Sequence, residues 1–295
     1  MHAGFIGLGV MGTPMALNLA RQFPVTVWNR SASKYPALIK GGAVIAETPA
    51  KALSESDTIF TMLFDESAIR SMLSPEFKKA LPGKTIVNTS SVSVEFSKYF
   101  ADQVHQAGGH FIEMPVSGSK VPAEQGKLVA MMAGDSAVAD RIRPLVAAMA
   151  STAVYCGPVG YGLKTKYAIN LYLIAITAGL AEATNLAMAQ GLNLGAFAQV
   201  LGAGPLASAY SDLKMDKIMR EDWSAQAAIK DCYNSTQLIQ SAANVVGAKV
   251  PIANLCGALY RQAKESGLEE EDMIAVIKVL GEGSKSAGPL HKSSE

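Results

Sequence analysis

Ala3-Gly4-Phe5-Ile6-Gly7-Leu8-Gly9-Val10-Met11-Gly12 opens with an apolar run that meets spaced glycines, and the residues from Met11 to Arg21 then take helical spacing. A short buried strand that runs into G-x-G-x-x-G and on into a helix is the context that gives the pattern meaning. Gly7 permits the tight turn, Gly9 lets the backbone approach a pyrophosphate, and Gly12 lets the helix pack closely on the strand. Val10 and Met11 complete the loop at the helix N-terminus, where open N–H groups and the helix dipole favour phosphate. The stretch predicts a dinucleotide-binding unit at the head of the chain.

Alternation continues outward from there. Val25 to Trp28, Thr58 to Leu63, Thr85 to Asn88, His110 to Glu113 and Leu128 to Met132 read as strands, with helical patterns such as Ser93 to Ala107 between them. Such alternation predicts a doubly wound, mostly parallel sheet covered on both faces, an α/β Rossmann domain over residues 1–162. After Gly162 the chain becomes rich in Ala, Leu, Met and Gln, with few strand signals. Residues 163–295 are expected to form an all-α domain built around one long helix, Leu163 to Gln190, that starts at the domain boundary. Gly191 and Asn193-Leu194 mark a helix stop and a new start, Pro205 and Pro251 punctuate later helices, and Gly281 to Glu295 reads as a loose tail.

The end of the second strand selects the cofactor. An enzyme that uses NAD usually places Asp or Glu there to hold the ribose 2′-hydroxyl. This chain has Asn29-Arg30-Ser31, followed by Lys34. With no carboxylate at that point to repel a 2′-phosphate, and with Arg30 able to stack on adenine and bond the phosphate, NADP(H) is the expected cofactor. Leu63, closing the strand from Thr58, and Ser91, beyond the strand ending at Asn88, complete the expected cofactor-binding set.

Composition bounds the rest. The chain has 295 residues, 49% of them hydrophobic, with 26 basic and 25 acidic side chains and a net charge of +1. It has length for two cores and no overall charge to attract nucleic acid or an anionic membrane. Cys156, Cys232 and Cys256 are widely spaced, as thiols of a reducing compartment are. The four histidines have no metal-ligand spacing, so no metal site is expected. No targeting segment is visible before the first strand, which predicts a cytoplasmic protein. The apolar run Leu171 to Leu180, closed by Glu182, is too short to span a bilayer and reads as buried.

Three further motifs follow in order: Pro115-Val116-Ser117-Gly118-Ser119, then Gly160-Tyr161-Gly162 with Lys166 and Asn170, then Lys230-Asp231. Together with the N-terminal glycine motif they resemble the β-hydroxyacid dehydrogenase family over nearly the whole chain. The stretch Pro115 to Leu128, with Ala123-Glu124-Gln125-Gly126, looks most like the glyoxylate/succinic semialdehyde reductase branch, and Asn29-Arg30-Ser31 agrees with that NADPH-using branch. The resemblance implies a hydroxyacid dehydrogenase or semialdehyde reductase acting on a small molecule, with its active site in a cleft between the domains. It also implies a homodimer or homotetramer built through the helical domain.

Reduction of an aldehyde by hydride leaves an alkoxide that needs a proton donor within hydrogen-bond reach. Lys166 matches the family's catalytic lysine, and burial that lowers its pKa would suit it to the task. Asn170 stands four residues on, on the same helix face, and would orient it. Ser117, Gly118 and Ser119 would hold the substrate carboxylate; Lys230 would add positive charge, oriented by Asp231. Glu113-Met114 replaces the family's frequent Asp-Ala, Cys232-Tyr233 follows Lys230-Asp231 in place of leucine, and Tyr161, Leu163 and Tyr167 make the lysine region bulky. These departures leave the reaction class intact and the substrate open. Two other readings compete: an imine reductase on the same architecture, and a non-catalytic NADP-binding scaffold protein. Imine reductases typically lack the lysine, and the related chromatin-associated domain has lost it, so Lys166 speaks against both.

Overall fold

The computed structural model describes residues 1–281. It divides into two compact units, Met1–Ala168 and the chain from Ile169 onward. The division falls inside a single continuous helix, Tyr161–Ala189.

The first unit is built on nine strands: β1 (Ala3–Ile6), β2 (Val25–Trp28), β3 (Val44–Ile45), β4 (Thr58–Thr61), β5 (Thr85–Asn88), β6 (His110–Glu113), β7 (Val116–Ser117), β8 (Leu128–Gly134) and β9 (Ala150–Gly157). Their order is β3-β2-β1-β4-β5-β6-β8-β7, with β9 beside β8. From β3 to β6 every neighbouring pair is parallel. The chain reverses strand order at β1 and β4, the place where open α/β sheets bind ligands at their carboxyl ends. All four residues of β1, β4 and β5 are buried, as a sheet covered on both faces requires. The expected strands through Leu8 and Leu63 end two residues earlier, at Ile6 and Thr61. After Ile6 the backbone turns at Gly7, whose φ is +97°.

Three strands escape sequence reading. β3 and β7 have two residues each, too few to show a period. β9 is largely exposed and pairs only with β8, so its side chains need no apolar alternation. β6 and β7 form one interrupted strand: Ile112, Glu113, Val116 and Ser117 pair with Gly134, Ala133, Ala130 and Val129 in an unbroken antiparallel register. Pro115 lies in the interruption, where its carbonyl still accepts Met131 N–H at 3.0 Å. This ladder fixes the height of the Pro115–Ser119 segment along the sheet.

The helix Val94–Gln106 shows how the covering layer forms. Ser93 caps it by accepting the Phe96 N–H at 3.2 Å, and Val94, Phe96, Phe100, Ala101 and Val104 turn to the sheet. Phe100 meets Phe111 of β6 edge-on, with ring centroids 5.0 Å apart.

The second unit is helical: Leu194–Ala203, Ala209–Met219, Ile229–Val246, Pro251–Glu265 and Ile277–Gly281 follow the long helix. The long helix stops at Ala189, Gly191 takes φ +71°, and Asn193 caps the next helix through the Ala196 N–H, as the sequence signals predict. Within the unit Lys214 and Asp272 form a buried ion pair at 2.7 Å. The remaining acceptor capacity of Asp272 takes the N–H groups of Gln226 and Ile274. The helix containing Leu171 to Leu180 is 29 residues long, so by length and composition it is able to cross a membrane although the apolar run by itself is too short. Thr177 and Thr184 on that helix engage Tyr210 and Met215 of the same unit, but the run Leu171 to Leu180 is not buried throughout as expected: Ile174, Thr177 and Ala178 are buried, while Tyr172 and Gly179 are exposed. The expected loose tail lies, from residue 282, outside the described residues.

Lys214→Met should lower the stability of the chain by about 3–5 kcal/mol, because it leaves the Asp272 carboxylate buried without its countercharge. Urea unfolding followed by circular dichroism measures this; an unchanged midpoint would show that the pair contributes nothing.

Candidate active site

The loop between β1 and the helix Gly12–Ala20 has three glycines with different duties. A Cβ on Gly7 would collide with the Met62 carbonyl, and one on Gly12 with the Gly7 carbonyl. Both positions are glycine because the protein itself leaves no room. At Gly9 an added Cβ would meet nothing within 4 Å. No contact within the fold explains that glycine, and its open side is the cradle a pyrophosphate needs. The helix that begins at Gly12 has no acidic residue in its first turn to compete with an anion. The N-terminal residues therefore fit a dinucleotide.

The loop is pinned from the side by Asn29, whose Oδ1 accepts the Leu8 N–H at 3.0 Å while its Nδ2 donates to the Ser31 carbonyl at 2.8 Å. Tyr35 bonds the backbone of the same residue twice, accepting from Asn29 N at 3.0 Å and donating to its carbonyl at 2.7 Å. Beside them lies a cavity of about 430 Å³ lined by Trp28, Asn29, Arg30, Ala32, Tyr35, Ile45, Ala46 and Glu47. Arg30, Ser31 and Lys34 are exposed around this end of β2. The expectation that no carboxylate stands near this end of β2 needs correction. Glu47 follows β3, and the parallel pairing of β2 with β3 brings it to the same cavity. Sequence reading missed it because a two-residue strand gives no sign of the pairing.

Across the switch point, Leu63 N–H donates to Ser90 Oγ at 2.8 Å, which ties the loop after β4 to the loop after β5. Ser91 is partly exposed next to this tie. The first turns of the long helix approach the same unit. Lys166 Nζ donates to the Val116 carbonyl at 2.8 Å, which sets the ammonium beside the residue preceding Ser117. Tyr167 donates from its hydroxyl to the Val92 carbonyl at 2.5 Å. Burial, reinforced by the carboxylates of Glu113, Glu95 and Glu66, raises the Tyr167 phenol above its ordinary pKa, so it stays a donor. Ser117 and Ser119 are partly buried and Gly118 is exposed. Gly118 has φ +124°, and a Cβ there would come within 2.8 Å of Leu128, so glycine is required.

Glu113 is the feature of this unit whose role sequence reading missed. It is fully buried at the end of β6. Its Oε1 accepts the Leu163 N–H at 2.8 Å, and its Oε2 accepts the Gly160 N–H at 3.0 Å and the Ser97 hydroxyl at 2.5 Å. Burial pushes its pKa above the usual carboxylate value, against the opposing pull of Ser97 and the N–H groups of Leu163, Gly160 and Gly162. A glutamate directly after the apolar pair Phe111-Ile112, at the end of the strand, was the available signal.

In the second unit, Asn170 Nδ2 donates to Ser235 Oγ at 3.3 Å and Oδ1 has no partner among the described residues. Lys230 is held by Glu270, with Nζ 2.5 and 2.6 Å from its two carboxylate oxygens. The ion-pair partner of Lys230 is therefore Glu270, 40 positions away in sequence, and not the adjacent Asp231 expected to orient it. The Lys230 charge still acts on the Asp231 carboxyl, whose pKa burial raises against it.

Residues 2–157 match the family model of the NAD-binding domain of 6-phosphogluconate dehydrogenase, and residues 160–280 match that of the NAD-binding domain of NADP-dependent 3-hydroxyisobutyrate dehydrogenase. Glyoxylate/succinic semialdehyde reductase 2, chloroplastic, of Arabidopsis thaliana is 34% identical over 281 residues, 94% of this chain and 78% of that protein. The 2-hydroxy-3-oxopropionate reductase of Escherichia coli K12 is 32% identical over 286 residues, 95% of this chain and 97% of that protein. Among solved structures, Psf3 in complex with NADP+ and 2-OPP superposes with a TM-score of 0.87 at 27% identity, covering 94% of this chain and 99% of that one. A dinucleotide cradle, a lysine held beside the Pro115–Ser119 segment and these matches together place the chain in the β-hydroxyacid dehydrogenase family, as a hydroxyacid dehydrogenase that uses a nicotinamide cofactor.

Proposed function

We propose that the chain is an NADPH-dependent reductase of short aldehyde acids of the glyoxylate or succinic semialdehyde class, with Lys166 as proton donor. Bound NADPH supplies the hydride. The chain's own residues hold the aldehyde acid and furnish a proton to the oxygen that becomes a hydroxyl. The observation that carries this reading is the 2.8 Å bond from Lys166 Nζ to the Val116 carbonyl. It puts a cation next to Ser117 and Gly118, whose hydroxyl and N–H would hold a carboxylate. In that arrangement the acid end of a small substrate is held while its carbonyl oxygen lies within reach of the ammonium. Asn170, one turn along the same helix, is the residue proposed to orient it. In the reverse direction Lys166, unprotonated, takes the proton from the hydroxy acid.

Preference for NADPH over NADH is read from charge. Arg30 lines the cavity beside β2, and Lys34 is exposed nearby. Both favour a 2′-phosphate, and Arg30 adds a planar group that stacks on adenine. Glu47 opposes them from the same cavity, so the preference is a balance and not an exclusion.

Lys166→Ala should lower kcat by about two to four powers of ten while leaving NADPH binding unchanged. An NADPH-oxidation screen over glyoxylate, succinic semialdehyde, tartronate semialdehyde and cyclic imines measures this for each substrate. Turnover of imines alone, or equal rates in variant and parent, would overturn the proposal.

Gly9→Val should unfold at the same temperature as the parent and bind NADPH about tenfold or more weakly, since the new side chain fills only the phosphate cradle. Arg30→Ala should narrow the gap between NADPH and NADH in fluorescence titration, and Glu47→Gln should widen it. Equal affinities for both cofactors in the parent would contradict the NADPH assignment.

A further inference from the structure

We propose that Glu113 is a positioning residue for the reaction: its buried carboxylate seats the N-terminus of the long helix and thereby sets where the Lys166 ammonium stands. This rests on Lys166 being the proton donor.

Two groups at this point of the fold each need the other. The first N–H groups of a helix have no intrahelical acceptor. A carboxylate in a dry interior needs donors on both oxygens. Glu113 is 0% exposed and takes N–H groups of Gly160 and Leu163 on different oxygens, with the Ser97 hydroxyl on Oε2 as well. Its negative charge also lies at the positive end of the dipole of a 29-residue helix. The fit is close. A Cβ on Gly162 would stand 3.0 Å from Glu113 Oε1, 2.7 Å from the Met131 carbonyl and 3.1 Å from Pro115 Cδ. Gly160, at φ +99°, turns the chain into the seat.

The seat is coupled to the lysine by register. Glu113 and Val116 belong to the same interrupted strand against β8. Leu163 and Lys166 are three residues apart on the helix. The strand segment therefore holds the helix at two successive points, Leu163 N–H on Glu113 at 2.8 Å and Lys166 Nζ on the Val116 carbonyl at 2.8 Å. A third tie, Tyr167 to Val92, fixes rotation about the helix axis. A helix end that slips or frays at Leu163 moves Lys166 within the next turn. The dinucleotide cradle at residues 7–12 has no part in these bonds.

Glu113→Gln keeps the shape and exchanges an acceptor oxygen for an NH₂ that faces N–H groups. In the full chain with NADPH and the best aldehyde acid from the screen, this variant should lose about tenfold or more in kcat, with KM and NADPH affinity within about twofold of the parent. In a Lys166→Ala background the same substitution should cost less than about twofold, because the group it positions is gone. A tenfold loss in both backgrounds, or an unchanged kcat in the single variant, would overturn the proposal. Should Glu113→Gln fail to fold, Ser97→Ala replaces it. That variant removes one donor to the same carboxylate, and its kcat loss of about threefold should vanish when Lys166 is alanine. Full activity of Lys166→Ala alone would instead refute the proton-donor assignment, which keeps the two failures distinct.

Discussion

A buried carboxylate and a helix N-terminus satisfy one another at Glu113, and the arrangement of the first unit's chemistry depends on that exchange. Without the N–H groups of Gly160, Gly162 and Leu163, a glutamate at the end of β6 would be a desolvated charge with only Ser97 to answer it. Without the carboxylate, the long helix would begin with orphaned donors in an apolar setting. The consequences run in both directions along the chain. Toward the sheet, the register of residues 112–117 against β8 carries Glu113, the Val116 carbonyl and Ser117 as one rigid piece. Toward the helix, Lys166 and Tyr167 follow Leu163 by one turn and close on that piece and on Val92.

The cofactor end is organised by a different principle, the exclusion of side chains. Gly7 and Gly12 are glycine because carbonyl oxygens of the protein occupy the space a Cβ would take. Gly9 has nothing beside it, and its place in the loop between β1 and the helix from Gly12 makes that open side fit a pyrophosphate. Around the neighbouring cavity, Arg30 and Glu47 carry opposite charges. On the proposed reading, preference for NADPH over NADH is a difference between attraction and repulsion at one phosphate.

The Rossmann unit was legible because its strands are short, apolar and bounded by glycine, and because Gly7, Gly9 and Gly12 stand between a strand and a helix. β2, β5 and β6 run over the residues that the sequence pattern predicts. The helical second half was legible from period, and its stop at Gly191 and restart at Asn193 from capping chemistry. What escaped depends on long-range pairing. Glu47 reaches the cavity through a two-residue parallel contact, and Glu270 reaches Lys230 from 40 positions away. Glu113 was visible as a departure from the family pattern, but its helix partners Gly160 and Leu163 lie 47 and 50 residues on, and no local rule connects a strand end to a helix start at that distance. Ser117, Gly118 and Lys166 were legible as a motif, and the structure adds the bond through Val116 that brings their segments together.

The most direct measurement is the structure of the protein with NADP+ and a bound hydroxy acid. Proton donation by Lys166 requires its Nζ to leave or share the Val116 carbonyl and lie roughly 2.6–3.2 Å from the substrate hydroxyl oxygen, with the carboxylate on Ser117 and Gly118. An ammonium that remains on Val116 while another side chain or water meets that oxygen would contradict it.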